Sequence, residues 1–387
     1  MGVARALPRF KPSVTGCFPD AGHGSPQNQM DCDDVAVLVR LGAPASIAIT
    51  LSRCFMEQDP SIQSRQAAKS TGRGTRPVSG IRRLAAGLFC CLAVAVSAAD
   101  HAVAAEAGAL NWGPGAPGLT FGALPPVPGL FFTNTTAYFS SSEFHGANGK
   151  RNSVLDLDQK GVVSVSRIMG VWPVDLNGWR FATQVVIPVV YSDTDFDNIP
   201  VQGHAGGLGN MSVVQLTNYN FARFHNVGAS VSFTGRTSNY DSSRSINTQN
   251  GYSTVSAGAH YNYFDPTGLD FGVMAGYHYN NRNPTTDYRS GDLFALDFKL
   301  TYALNDKIRI GAYGGYLAQI EDDKAGSVSL ADSRFKAINL GPSITYAMGP
   351  VDATLSYQFS VHAENATKSD AVRLSFNVPL YVPKPGP

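Results

Sequence analysis

The feature that most constrains the fold is a series of alternating segments separated by gaps that are short and long in turn. In VDATLSYQFSVH, Val351 to His362, every second residue is apolar and the residues between are polar. This period of two is typical of a β-strand with one apolar and one polar face. About twelve segments of about 9–14 residues share the pattern. That length exceeds the usual strand and suits a strand that crosses a bilayer at a tilt.

The spacing of these segments predicts how the strands are connected. We expect the strands to begin near Leu130, Gly161, Gly178, Gly209, Asn226, Ser253, Leu269, Gly291, Lys307, Arg334, Val351 and Ser369. Tight gaps such as WPVDLNG, FDPTG and AMGP alternate with long polar gaps such as RTSNYDSSRSINTQNG. A meander with tight turns at one end and long loops at the other is typical of a transmembrane β-barrel. The sequence therefore predicts an all-β fold, an antiparallel up-and-down barrel of about twelve strands.

The composition agrees with a barrel and excludes several other classes. Charged residues make up only 15% of the chain, which suits a protein whose outer surface faces lipid. The net charge of +1 and the lack of a basic block give no sign of a nucleic-acid partner. All five cysteines precede Asp100, so the chain beyond it has neither a disulfide framework nor a thiolate metal site. We expect no cofactor; the expected partners are outer-membrane lipid, lipopolysaccharide and a small-molecule solute, and the oligomeric state stays open.

The chain before the barrel divides into distinct parts. GIRRLAAGLFCCLAVAVSAADHAVAAEA has the arginines, apolar run and small-residue cleavage site of a secretory signal peptide, with cleavage after Ala98 or Ala105. The preceding residues share no pattern with the rest. ALPPVPG before the first strand is interpreted as a linker, with a segment that enters the lumen as the alternative. The predicted parts are a disordered extension or mis-assigned start at 1–79, the signal peptide at 80–105, a periplasmic N-terminal linker at 106–129, the outer-membrane barrel at 130–382 and a tail at 383–387.

If the apolar faces of the strands point to lipid, the polar faces point into the lumen. The candidate lumen-lining residues are Arg180, Gln184, His260, Asn262, Asp270, His278, Asp297, Lys299, Arg309, Asp352, Gln358, His362 and Arg373. Such residues can set the selectivity of a pore. The alternative is that they fill a narrow barrel as a salt-bridged plug, because twelve strands lie between a packed barrel and an open porin.

Metal-binding and enzymatic motifs are weak. Asp193, Asp195 and Asp197 imitate the start of a calcium loop, but Asn198 stands where the glycine belongs and His204 where the glutamate belongs. A solvated acidic extracellular loop is the favoured interpretation. No spacing of serine and histidine singles out a catalytic set. We therefore expect neither a metal site nor an enzyme.

Several stretches resemble the outer-membrane family of the MetA pathway of phenol degradation. GGLGNMSVVQL is similar to the glycine-rich stretch that opens a middle strand of the family, with Asn210 where the family has aspartate. TTDYRSGDLFALDF resembles the family's Tyr-Arg-Ser-Gly segment. LGPSITYAMGP, with the following strand that ends in HAENATKSDAVRLSF, is a third match. The family-motif residues are Gly207, Gly209, Asn210, Tyr288, Arg289, Ser290, Gly291 and Asp292.

The resemblance spans about residues 110–382 and carries an expectation about function. It implies an outer-membrane barrel that takes up aromatic or other hydrophobic small molecules. We thus expect a channel that admits small, hydrophobic or aromatic molecules by passive diffusion. The alternative is a plugged barrel that acts in adhesion or envelope structure through its extracellular loops.

Overall fold

A computed structural model describes residues 31–41, 45–55, 106, 110–122, 124–237 and 239–383. The chain divides into two units, residues 1–78 and 79–387. In the first unit, strands β1 (Asp31–Leu41) and β2 (Ala45–Phe55) pair as an antiparallel hairpin. The sequence prediction for residues 1–79 does not include this hairpin. The signal peptide predicted at 80–105 lies outside the described residues and stays a prediction.

The second unit is a closed antiparallel barrel of twelve strands. Its strands are β3 (Gly129–His145), β4 (Leu157–Leu176), β5 (Trp179–Phe196), β7 (Ser212–Ala222), β8 (His225–Thr234), β9 (Thr254–Phe264), β10 (Leu269–Asn280), β12 (Leu293–Ala303), β13 (Ile308–Gln319), β16 (Lys336–Met348), β17 (Val351–Glu364) and β18 (Ala366–Tyr381). Four shorter strands lie outside this ring: β6 (Gln202–Leu208), β11 (Tyr288–Arg289), β14 (Lys324–Ala325) and β15 (Val328–Ser329).

The strand order confirms the predicted up-and-down topology. Each barrel strand pairs with the next along the chain, and the ring closes where β18 pairs with β3. Closure leaves the ring without a free edge, as a sheet in lipid requires. The short strand β6 pairs with the distal part of β5, so this hairpin projects beyond its neighbours on the side of the long loops.

Apolar side chains cover the outside of the barrel and polar side chains fill the inside. Val231 and Leu300 are 59% and 52% exposed, whereas the inward Asn262, Asp297 and Gln358 are at most 2% exposed. This distribution is the reverse of that in a soluble protein and matches a surface solvated by lipid. The described residues contain no helix with the length and hydropathy of a transmembrane span.

One tight turn is shorter than the sequence gap suggests. The stretch WPVDLNG is expected to be a connection, but β4 continues to Leu176 and β5 begins at Trp179. Only Asn177 and Gly178 form the turn, with φ of 54° and 88°. An Asn-Gly pair with two positive φ angles is the favoured two-residue hairpin turn, which allows the strands to extend to the turn.

The expected acidic loop is mostly strand. Asp193 and Asp195 lie on β5, where Asp193 pairs with Lys160 of β4 and with His204 of β6. The loop itself is reduced to residues 197–201. Among the described residues, no group of three or more His, Cys, Asp or Glu side chains is placed to hold a metal ion. Asp193 and Asp195 are exposed, as expected of a solvated acidic segment, but backbone pairing holds them in the projecting hairpin and not in a loop.

Candidate functional site

The residues before the first barrel strand lie inside the barrel. We call residues 110–122 and 124–128 the inner segment. Leu124 packs against Val171 and Ala182 close to the periplasmic turns. The ring of Trp112 lies 4.8 Å from that of His278, on the half of the barrel toward the long loops. The inner segment therefore runs along the lumen from the periplasmic end toward the extracellular end.

This path differs from the predicted periplasmic linker. The proline-rich ALPPVPG gives no local sign of burial, since such a stretch is equally typical of a linker. It lies in the lumen because polar side chains of the barrel wall can form hydrogen bonds with its irregular backbone. A buried backbone needs hydrogen-bond partners, and the lumen supplies them.

Four cationic side chains of the wall hold backbone carbonyls of the inner segment, and three of them are predicted lumen residues. Arg180 donates to the carbonyl of Pro125 at 2.5 Å. Lys299 donates to the carbonyl of Leu119 at 3.3 Å. Farther up, Arg373 donates to the carbonyl of Gly115 at 3.0 Å. These predicted lumen residues thus bind the chain's own backbone in the described conformation.

The turn at residues 113–118 makes several hydrogen bonds to the wall. The Gly115 N–H donates to Asp297 at 2.9 Å, Gln358 donates to the carbonyl of Pro114 at 3.4 Å, and Arg167 donates to the carbonyl of Ala116 at 3.1 Å. Gly115 has a φ of +71°, and a Cβ there would lie 2.3 Å from the Gln358 amide. Glycine is required at this position both for the left-handed backbone and for the close approach.

Below this turn, an ion pair in the wall supports an aromatic ring of the inner segment. Lys299 contacts Asp270 at 3.1 Å, and Asn262 donates to the same carboxylate at 3.1 Å. The Lys299 ammonium also lies 5.3 Å from the ring centre of Phe121. Both charges are buried, and their pairing offsets the cost of removing them from water.

The other predicted lumen residues have different partners. His260 lies 3.3 Å from the Asn218 amide, and His278 lies 2.8 Å from the Ser256 hydroxyl. His362 contacts Glu364 at 2.8 Å near the extracellular rim. Gln184 takes an inward position on β5.

Arg309 contacts the wall and not the inner segment. It donates to the carbonyls of Asp265, Pro266 and Gly268 in the β9–β10 turn, at 3.0–3.1 Å. Arg309 therefore stabilises a periplasmic turn in addition to facing the lumen.

A cavity of 290 Å³ remains between the inner segment and the periplasmic half of the wall. Asp352, Arg309 and Arg373 line it together with the rings of Phe264 and Tyr313. The cavity carries both charge signs and aromatic surface, so it has room for a small solute while the inner segment is in place.

At the extracellular end, the loops hold the start of the described inner chain. We call Glu106 with Tyr240, Asn283, Thr286 and Ser290 the clasp. The Glu106 carboxylate accepts hydrogen bonds from Asn283 at 2.7 Å, from Thr286 at 2.5 Å and from Tyr240 at 3.1 Å. Its N–H donates to the Ser290 hydroxyl at 3.2 Å. Burial, together with the Glu106 charge, raises the pKa of Tyr240, so its hydroxyl remains a donor at neutral pH.

The Tyr-Arg-Ser-Gly motif forms the floor of this clasp. Arg289 pairs with Asp292 at 2.8 Å. The Tyr288 hydroxyl and the Gly291 N–H both donate to Asp323 at 2.7 Å. Burial, then the Asp323 charge, raises the pKa of Tyr288. The motif residues therefore fix the loop that supplies Ser290 to Glu106.

The glycine-rich motif also reaches the inner segment. Asn210 donates to the side-chain carbonyl of Asn111 at 3.0 Å and to the backbone carbonyl of Asn250 at 3.1 Å. A Cβ on Gly209 would lie 3.0 Å from Pro188, and Gly207 has a φ of +152°. Asn210 thus uses its amide N–H group in a role that a carboxylate could not fill.

Sequence reasoning did not identify Arg167, Trp112 or Glu106. The alternation on β4 does not reveal that Arg167 faces the lumen. Val163 and Val165 share its inward face, while Ser164 and Ser166 point outward. A rule that assigns polar residues to the lumen fails on such a strand. Trp112 and Glu106 precede the predicted strands, where no period is available.

Comparison with known proteins agrees with this architecture. The model of the family described as "Putative MetA-pathway of phenol degradation" matches residues 145–376, more than half of the chain. The chain belongs to this family. The match includes both motifs that contact the inner segment or the clasp. A comparison with curated proteins found no match.

One solved structure shares the fold, and two others have weaker similarity to it. An outer-membrane channel from Pseudomonas putida F1 is similar with a TM-score of 0.60 at 16% identity, over 66% of this chain and 96% of that one. A FadL homologue from Pseudomonas aeruginosa has a TM-score of 0.34 at 9% identity, over 65% and 91% of the two chains. The CymD monoaromatic hydrocarbon channel has a TM-score of 0.37 at 9% identity, over 65% of this chain and 89% of that one. Only the Pseudomonas putida channel has a TM-score high enough to indicate a shared fold, and at this identity it indicates the fold alone. With its lipid-facing closed barrel, this family member is a protein of the bacterial outer membrane.

Proposed function

We propose that the protein is a channel that admits small, hydrophobic or aromatic molecules by passive diffusion, with the inner segment as its gate. The observation that carries the proposal is the way this segment is held. Its contacts to the wall are side-chain hydrogen bonds, the ring contacts of Trp112 and Phe121 and the packing of Leu124, and it adds no strand to the ring. The segment can therefore move without opening the sheet that forms the barrel.

Two further observations support the choice of solute. The family is named for phenol degradation, and a solved structure of similar fold is described as an outer-membrane channel. The cavity beside the inner segment offers Phe264 and Tyr313 as aromatic surface and Asp352, Arg309 and Arg373 as polar groups. The lining also contains hydroxyl and amide side chains, such as Thr301, Ser356 and Asn377, which can hydrogen-bond a polar group of a solute. A phenol-like solute presents one ring and one polar group, which fits this mixture.

The experiment compares uptake by cells with and without the protein. Cells with an intact lipopolysaccharide layer are given a radiolabelled phenol, and initial uptake is measured in the presence of an uncoupler. We expect several-fold faster uptake when the protein is produced, because diffusion through the barrel bypasses the outer leaflet. Equal uptake in both strains contradicts the proposal.

The second candidate, a plugged barrel that acts through its loops, is favoured by the clasp. Glu106 and its four partners join the inner chain to two extracellular loops, which gives those loops one fixed arrangement. Fixed loops suit adhesion or envelope structure better than solute passage. This function is supported if uptake stays at background even when the inner segment is displaced by substitution.

A further inference from the structure

The outer surface of the barrel is uniform except on neighbouring strands β3 to β7. On the described strands β8 to β18, the outward side chains in the middle of the band are apolar or aromatic, as Val231, Leu300 and Leu355 show. Register with Phe376 and Leu374 of β18 places Asn134 and Thr136 of β3 on the same outer face. Polar side chains on the lipid side of a barrel are unfavourable and need an explanation.

Four of these polar side chains form one hydrogen-bonded group, which we call the outer polar cluster: Asn134, Thr136, Ser164 and Ser166. The Asn134 amide donates to Ser164 at 3.0 Å and to Ser166 at 3.1 Å. Thr136 donates to the Asn134 side-chain carbonyl at 3.1 Å and lies 3.0 Å from the Ser164 hydroxyl. The cluster spans the β3–β4 pair, where Asn134 opposes Ser166 and Thr136 opposes Ser164.

The outer polar cluster lies deep in the apolar band. Asn134 is the sixth residue of β3, so it stands about 12 Å above the periplasmic end of a tilted strand, where the band is about 25 Å tall. Outward Leu130 lies below it and outward Tyr138 above it. Acyl chains surround this depth and offer neither donors nor acceptors, and lipopolysaccharide head groups lie far above it.

A second polar pair lies on the neighbouring strands of the same face. Thr183 of β5 donates to the side-chain carbonyl of Gln215 on β7 at 2.8 Å. In the part of the chain that the structure describes, the Gln215 amide nitrogen makes no hydrogen bond. Two N–H donors thus point toward lipid without a partner, which costs free energy unless another protein surface supplies one.

We propose that this face of strands β3 to β7 binds a second copy of the chain to form a two-fold dimer in the membrane. A copy in the same bilayer presents the same groups at the same depth. Amides and hydroxyls both donate and accept, so the face is complementary to itself under two-fold rotation, as an isologous interface requires. Hydrogen bonds between such side chains, with small residues that allow close approach, are the contacts that join membrane-spanning segments.

The test is cross-linking in native outer membranes from single added cysteines. Residues 100–387 contain no cysteine, so Val162→Cys, next to the outer polar cluster on β4, provides the only thiol of the barrel. Leu300→Cys on β12, on the opposite wall and also facing outward, is the control. A short bis-maleimide is expected to convert Val162→Cys into a dimer at several-fold higher yield than Leu300→Cys.

A second substitution separates a specific interface from crowding. Asn134→Leu added to Val162→Cys removes the centre of the cluster and is expected to lower the dimer yield to that of Leu300→Cys. Heat-modifiable migration in gels verifies that the barrel is folded, and Gln215→Leu replaces Asn134→Leu if it is not. Equal dimer yields from Val162→Cys and Leu300→Cys, or a dimer unaffected by the folded variant, overturn the proposal.

Discussion

The lack of a side chain at Gly315 on β13 gives the inner segment room to lie against the barrel wall. A Cβ at this position would lie 2.2 Å from the backbone nitrogen of Gly115 and 2.5 Å from the Asp297 carboxylate. Neither atom can easily move away, because the first is a backbone atom of Gly115 and the second belongs to the buried side chain of Asp297. The missing side chain thus provides the space in which Gly115 donates its hydrogen bond to Asp297.

Replacement of Gly315 by valine should displace the inner segment while the barrel remains intact. Valine is a favourable strand residue, so the sheet tolerates it, whereas the turn at Gly115 must move. We expect a larger conductance in planar bilayers and faster proteolysis within residues 110–122. Gly170→Val is the control, because a Cβ there has no atom within 4 Å. Identical conductance and proteolysis for Gly315→Val and wild type would show that the segment is not confined at this point.

At the scale of elements, sequence patterns located the barrel strands well and the inner segment poorly. Predicted starts at Leu269 and Val351 coincide with β10 and β17, since strict alternation ends at clear turn residues there. On β3 and β4 the alternation is inverted near Asn134 and Ser164, so polarity misassigns the face of Arg167. The fold class can be predicted from the two-residue periodicity of the strands and the spacing of the loops. The position of the inner segment cannot, because the segment has no periodicity and its position depends on contacts with strands distant in the sequence.

The clasp should control how often the inner segment opens. Glu106→Ala removes three hydrogen bonds to a carboxylate, for which a net loss of about 2 kcal/mol is typical. That loss raises the open fraction about thirty-fold. We expect correspondingly faster amide hydrogen exchange across residues 110–122, measured by mass spectrometry.

Glu143→Ala is the matched control for the clasp. Glu143 pairs with Arg151 and His145 at the rim and has no contact with Glu106. Its replacement should leave exchange of the inner segment unchanged. If Glu106→Ala also leaves exchange unchanged, the clasp does not limit opening and the gate must be held by Arg180, Lys299 and Arg373 instead.

At the scale of the whole molecule, the barrel and the inner segment have separable roles. The ring is closed by backbone pairing between strands, and the inner segment contributes none of these pairs. The wall residues that hold the segment are polar and would be solvated by water if it left. The same side chains would then line an aqueous path, so we propose that the closed and open states of the lumen differ in the position of the inner segment.

Single-channel recording of the protein with and without residues 110–128 tests this account most directly. Both proteins are purified as folded barrels and reconstituted in planar bilayers. We expect brief, small openings for the intact chain and stable openings of several-fold larger conductance after deletion, because the ring survives and the lumen empties. A folded deletion variant that conducts no better than the intact chain would contradict the claim that the inner segment is the gate.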